Sequence, residues 1–216
     1  MHVDIVIPTW RRAEKLKRCM ASIETQAYTD ITTHAIEDTD RLFAFGVWNR
    51  FLATWETGDL FVYLCDDTIL DPYCIAAAVR EMQAKFQDTD GLVGLHQSNI
   101  AGKDGWCRSA MGVIGRKFAE RFVNRQVFCP DYSRFHADSE LGAYARELGK
   151  FSYCEAASLV HLHPVHNRAE MDETHVVVRD PPVVLLDKRV WERRRAIACM
   201  WGKDNMLVRE DVRDYV

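Results

Sequence analysis

The sequence predicts an α/β fold, a doubly wound and mostly parallel sheet flanked by helices. Strand-like and helix-like apolar patterns alternate through the first hundred residues, and parallel strands need crossover helices between them. The stretch LFVYL at 60–64 is apolar at every position, the pattern of a central strand covered on both faces. Polar residues collect just beyond three strand candidates, where open sheets of this kind bind ligands.

Residues 3–7 (VDIVI) read as the first strand, which Pro8 is expected to stop. Leu16, Cys19, Met20 and Ile23 then recur at helical spacing. A weaker strand at 31–36 (ITTHAI) ends in the acidic EDTD, and Leu42, Phe45, Trp48, Leu52 and Trp55 mark a second helix that runs up to Gly58. Beyond the strand at 60–64, Asp71 is placed as the N-cap and Pro72 as the first residue of a helix whose buried stripe is Ile75, Val79, Met82 and Phe86. GLVGL at 91–95 is the next strand. The second half breaks the rhythm with a glycine-containing loop at 97–109, an apolar stretch at 110–115 (AMGVIG), a helix over 139–148 and a strand over 156–162 (AASLVHL).

The 216 residues and 48% apolar content suit one domain with a large core. A formal charge of −4 excludes nucleic-acid binding spread over the whole surface, so any polyanion must meet a local basic patch. Seven cysteines at 19, 65, 74, 107, 129, 154 and 199 contain no CxxC pair, which argues against a disulfide framework or a zinc ribbon and for reduced thiols. The N-terminus has no basic leader and no apolar run approaches the roughly 18 residues of a membrane span, so a soluble, cytoplasmic protein is expected.

The three polar strand ends are Thr9 to Arg12, Glu37 to Asp40, and the adjacent pair Asp66 and Asp67. Two neighbouring carboxylates repel each other unless a cation lies beside them, and a hard divalent ion with oxygen ligands satisfies both. The competing reading is a pair that only caps or solvates a loop. Asp138 and Glu140 open a helix whose dipole favours negative charge, and for Glu140 ordinary capping is the expected role. His161 lies near a strand end with His163 on the same face and His166 beyond a turn; without a cysteine or glutamate at zinc spacing, one histidine ligand is expected in place of three.

The ordered segments VDIVIPTWRR, WNRFLATWETGDLFVYLCDDTILDP, HADSELGAYARELGK and AASLVHLHP, with the acidic end of the second strand between the first two, resemble a family-2-type glycosyltransferase of the GT-A fold over residues 3–166. The resemblance implies that Pro8, Thr9 and Trp10 line the base and ribose of a nucleotide-diphosphate sugar, a UDP-sugar favoured, with Arg12 on the pyrophosphate. It places Asp38 near the base or ribose and Asn49 in the wall of the nucleotide pocket. Asp67 matches the last carboxylate of the DxD motif, supported by Asp66 and completed by His161, and the set would hold Mn2+ or Mg2+. Asp138 matches the general base of an inverting transfer to a hydroxyl acceptor. Cys65 stands where DxD has its first aspartate, and Ala137 where an acidic residue usually precedes the base.

Residues 1–166 are thus read as the catalytic core and 167–216 as an extension packed on the same domain. A basic helix is expected over 187–201, capped by Asp187, with Lys188, Arg189, Arg193, Arg194 and Arg195 as the densest positive cluster. That cluster reads either as a solvated face or as a contact for phosphates, including those of a DNA acceptor, since small enzymes resembling this one glycosylate hydroxymethylated pyrimidines in phage DNA. A nucleotidyltransferase and a catalytically silent nucleotide-sugar-binding module are the alternatives.

Overall fold

The computed structural model describes residues 1–99, 108–164 and 170–208. Most of the loop expected at 97–109 lies outside the described residues, as do His166 and residues 209–216 of the C-terminal extension. Strand β1 (Val3–Thr9) leads through α1 (Ala13–Glu24) to β2 (Ile31–Glu37), and α2 (Phe43–Ala53) leads to β3 (Leu60–Tyr63). A short β4 (Thr68–Leu70) precedes α3 (Cys74–Lys85), β5 (Leu92–Gln97), β6 (Gly112–Gly115) and α4 (Arg116–Ala119). After them come α5 (Ala137–Glu147), β7 (Phe151–His161), α6 (Glu173–Val178) and α7 (Pro181–Ala196).

The seven strands form one sheet in the order β2-β1-β3-β6-β5-β7-β4. Strands β1, β2, β3, β5 and β7 run in one direction, and β6 and β4 run against them. The mostly parallel expectation therefore holds with two antiparallel strands, β6 inside the sheet and β4 at its edge. The apolar stretch at 110–115 supplies β6, which wedges between β3 and β5. Three-residue β4 carries no usable periodicity, and its partner β7 is far away in the chain, so the sequence does not announce it.

The unbroken apolar run of β3 has the cause it predicts. Phe61 and Tyr63 face one buried layer with Trp48, Phe118 and Phe128, while Leu60, Val62 and Leu64 face the other with Ile75, Val79 and Met82. Alternate side chains leave a strand on opposite sides, and both sides are covered here. Each fully buried side chain of this size contributes about 1.5–3 kcal/mol from burial.

Several boundaries differ from the sequence expectation. Pro8 does not stop β1, which continues beside β2 to Thr9; β3 pairs with β1 only as far as Val6, and proline is tolerated where a ladder is missing on one side. Helix α3 begins at Cys74, after Asp71 and Pro72 have formed a turn in which the Cys74 amide donates to the Asp71 carbonyl at 2.9 Å. Pro72 is held outside the helix by its carbonyl, which accepts from the Ala27 amide at 2.8 Å. Strand β7 starts at Phe151 and slips register beside β5 between Leu95 and His96, an irregularity that hides its full length from pattern reading.

The largest correction concerns the C-terminal helix. α7 starts at Pro181, so Asp187 lies in its interior, where its fully buried carboxylate accepts from the Ser133, Arg134 and Phe135 amides at 2.8–2.9 Å. Arg194 is not part of a basic surface. It is fully buried, donates to Glu140 at 2.8–3.0 Å and to Asp131 at 3.3 Å, and its loss would strand both carboxylates. Glu140 likewise makes no capping hydrogen bond on α5, and instead also accepts from Tyr132 Oη and the Trp201 amide, both at 2.6 Å.

Breaking one side of such a buried ion pair costs about 3–5 kcal/mol because the remaining charges are left uncompensated. Arg194→Leu is expected to lower unfolding stability by that amount in urea melts, while neutralising the exposed Arg193 changes it by less than about 0.5 kcal/mol.

Candidate functional site

The carboxyl ends of β1, β3 and β7 meet the start of α6 in a cleft of about 240 Å³. Its wall includes Pro8, Thr9, Trp10, Arg12, Asp38, Asp66, Asp67 and His161, all singled out by the sequence. β1 ends in Pro8 and Thr9, Trp10 follows it directly, and a left-handed backbone at Arg11 (φ 54°) turns the chain so that Arg12 reaches inward.

The Asp66–Asp67 pair is almost fully buried, and its two members have different partners. Asp66 accepts from Thr9 Oγ1 at 2.9 Å and from the Arg12 guanidinium at 2.7 Å. Burial outweighs these contacts and pushes its carboxyl up to about 6. For Asp67, burial also opposes the charge, but the His161 and His175 imidazoles and Arg12 prevail and hold the carboxyl well below its ordinary value. Asp67 Oδ2 stands 3.4 Å from His175 Nε2 and 3.6 Å from Arg12. Asp67 Oδ1 is buried and accepts no well-directed hydrogen bond, although His161 Nε2 lies 3.2 Å away.

That unmatched oxygen tests whether a metal fits. Gln97 Oε1 is 3.0 Å from His161 Nδ1, and Asn99 clasps the His161 backbone from both sides. Gln97 thus holds the ring with Nε2 toward Asp67 Oδ1, a spacing that a shared proton or a metal ion fills. Cys65, Asp67 and His161 bring their ligand atoms within 4.8 Å of one another. The residues fit a divalent ion, with one change from the sequence expectation: Asp66 is committed to Thr9 and Arg12, and Cys65 takes its place beside Asp67.

α6 closes one side of the cleft. Its Asp172 accepts from Arg12 at 3.0 Å and from Lys15 at 2.5 Å, and Thr174 Oγ1 donates to the Trp10 carbonyl at 3.1 Å. His175 is buried between Asp67 and Asp172. Sequence reasoning missed this segment. Its one local signal is the D-x-x-H spacing of MDETH, which forms a capping box with the histidine in the position usual for glutamate or glutamine.

Two further aromatic and cationic groups escaped the sequence reading. Arg41 lies over the Trp10 ring at 3.9 Å from its centroid, and Arg134 lies over Phe43 at 4.1 Å. Asp38 also lines the cleft, with both oxygens taken by the Leu42 and Phe43 amides at 2.8 Å, so it anchors the loop that presents Arg41.

Asn49 and Asp138 are placed differently. Asn49 lies off the cleft wall, with its amide exchanging hydrogen bonds with the Phe128 backbone at 2.7 and 3.0 Å. Asp138, in the first turn of α5, is not on the lining either. Burial pushes it up to about 6 against the pull of the Ser139 amide and its own, so it is poised to exchange a proton near neutral pH.

Three comparisons place this architecture. No family model matches the sequence, and no curated protein matches it significantly. Solved structures do match. A mannosyltransferase from Pyrobaculum calidifontis, solved with GDP-Man and Mn2+, is similar with a TM-score of 0.58 and 16% identity over 74% of this chain and 56% of its own length. The chain has the GT-A fold. S. aureus TarS 1–349 matches at TM-score 0.56 and 10% identity over 81% of this chain and 68% of its own, and its complex with UDP-GlcNAc matches at 0.55 and 9%, over 82% and 64%. The chain therefore spans little more than half the length of the mannosyltransferase. Among the described residues no helix is long and apolar enough to cross a membrane.

The raised carboxyl of Asp138 has a stability consequence of definite sign. Between its ordinary pKa of 3.8 and about 6 the folded chain binds more protons than the unfolded one, so stability falls as pH rises through that window and stays lowered above it. Asp138→Asn is expected to melt higher at pH 7, by roughly 1–3 kcal/mol, and to lose this advantage below about pH 4. Thermal melts across pH would read the difference.

Proposed function

We propose that this chain is an inverting glycosyltransferase that moves a sugar from a nucleotide-diphosphate donor to a hydroxyl acceptor. The observation that carries the reading is the convergence, at the carboxyl ends of β1, β3 and β7 of a GT-A fold, of an aromatic and cationic wall with a buried aspartate oxygen that has no proper partner. The matched proteins support the donor class, since their complexes hold GDP-Man, UDP-GlcNAc or UDP.

Pro8, Thr9 and Trp10 would receive the base and ribose, with Asp38 fixing the loop on the far side. Arg12 would exchange part of its contact with Asp66 and Asp172 for the diphosphate, a planar guanidinium being suited to paired phosphate oxygens. Cys65, Asp67 and His161 would hold a divalent ion, which when bound neutralises charge growing on the departing diphosphate. Asp138 would take the proton of the acceptor hydroxyl as its oxygen attacks the anomeric carbon and the bond to the diphosphate breaks. Asn49 would act at one remove, by pinning the segment at Phe128. Residues 170–208 would belong to the same functional unit as the core, because Asp172 and His175 complete the charge balance of the cleft.

A thermal-shift series with UDP, GDP and their sugars, with and without Mn2+, tests binding, since a ligand that binds only the folded chain raises its melting temperature. A metal-dependent rise with at least one nucleotide is expected, and silence across the series would remove the donor reading. Asp138→Asn should keep the rise yet lose about 10²–10⁴ in sugar release. Turnover of the unmodified chain should fall as pH drops below about 6, where Asp138 is protonated. Unchanged turnover in Asp138→Asn would assign the base elsewhere.

A further inference from the structure

The residue that breaks the family pattern is also the one the structure draws into the ion site. Residues 65–67 leave the end of β3 through a turn in which Asp66 is committed to Thr9 and Arg12, at 2.9 and 2.7 Å. The ligand atoms of Cys65, Asp67 and His161 lie within 4.8 Å of one another. Asp67 Oδ1 is buried without a well-directed partner, and Gln97 holds His161 so that Nε2 faces it.

We propose that this cleft selects a thiophilic first-row divalent cation, of the Zn2+ or Co2+ class, over Mg2+, with Cys65 as a thiolate ligand beside Asp67 and His161. One sulfur, one imidazole nitrogen and one carboxylate oxygen form a borderline-soft set, whereas Mg2+ demands near-octahedral oxygen ligands and keeps several waters. Three protein ligands also leave a coordination position open, the arrangement of sites that act on a bound molecule. To ligate as a thiolate, the Cys65 thiol gives up its proton. On binding, the sulfur–metal bond forms as that proton passes to solvent. The glycosyltransferase reading is needed only for what the ion does, not for whether it binds.

Cobalt titration of the full chain reads the sulfur ligand directly, with no donor present. The expected result is a thiolate-to-cobalt charge-transfer band that saturates, disappears on addition of Zn2+ and persists in a large excess of Mg2+. Cys65→Ser should abolish the band and weaken Co2+ binding by at least about tenfold. Cys74→Ser, in α3 away from the cleft, should keep it. Should Cys65→Ser fold poorly, Cys65→Asp serves instead: it should lose the band while binding Mg2+ and Mn2+ more tightly than the unmodified chain. Absence of Co2+ binding, binding without the band, or a band that survives removal of Cys65 would each overturn the proposal. If these failures come with a nucleotide-dependent thermal shift, the donor reading stands alone; a Cys65-dependent band with no nucleotide binding would leave the metal site without the glycosyltransferase.

Discussion

Burying Asp66 and Asp67 at the end of β3 is the constraint around which this end of the molecule is arranged. Charged carboxylates removed from water must find compensation close by. Thr9 and Arg12 come from the end of β1 to meet Asp66, His161 comes from the end of β7 toward Asp67, and α6 brings His175. Asp172 also accepts from Arg12, and its own charge is met by Lys15. One pair of carboxylates thus recruits β1, β7 and α6, and leaves a single oxygen, Asp67 Oδ1, without adequate satisfaction.

A second buried charge system holds the other wall. Arg194 in α7 joins Glu140 of α5 to Asp131, and Asp187, two turns earlier in α7, gathers the backbone amides of 133–135. That clamp fixes the segment from which Arg134 and Phe135 enter the cleft. It also frames the start of α5, where Asp138 sits with its raised carboxyl. The two systems divide the labour: one tunes the groups that face a ligand, and the other sets the position of the wall around them.

The same chemical group thus has opposite uses depending on what surrounds it. Asp187 and Glu140 are fully engaged by amides, a guanidinium and a hydroxyl, and they are structural. Asp138 has only the amides at its helix start to lower its proton affinity, and burial dominates. Buried aspartates are common in this chain, and the ones to suspect of chemistry are those whose partners are too few.

Periodicity and polar strand ends in the sequence determined the α/β class, the alternation of its first half, the central position of 60–64 and the gathering of Thr9, Arg12, Asp38, Asp66, Asp67 and His161 at one end. These follow from the fixed geometry of strands and helices, which any local stretch of sequence records. Tertiary structure alone decided which of these groups meet. Cys65, in place of Asp66, lies with Asp67 and His161 because Asp66 is taken up by Thr9 and Arg12; Asn49 turned to Phe128, and Arg194 left the basic patch for a buried ion pair. His175 joined from far along the chain, where no local spacing pointed to Asp67. Those outcomes depend on long-range charge compensation, to which side chains far apart in sequence contribute and which no local pattern encodes.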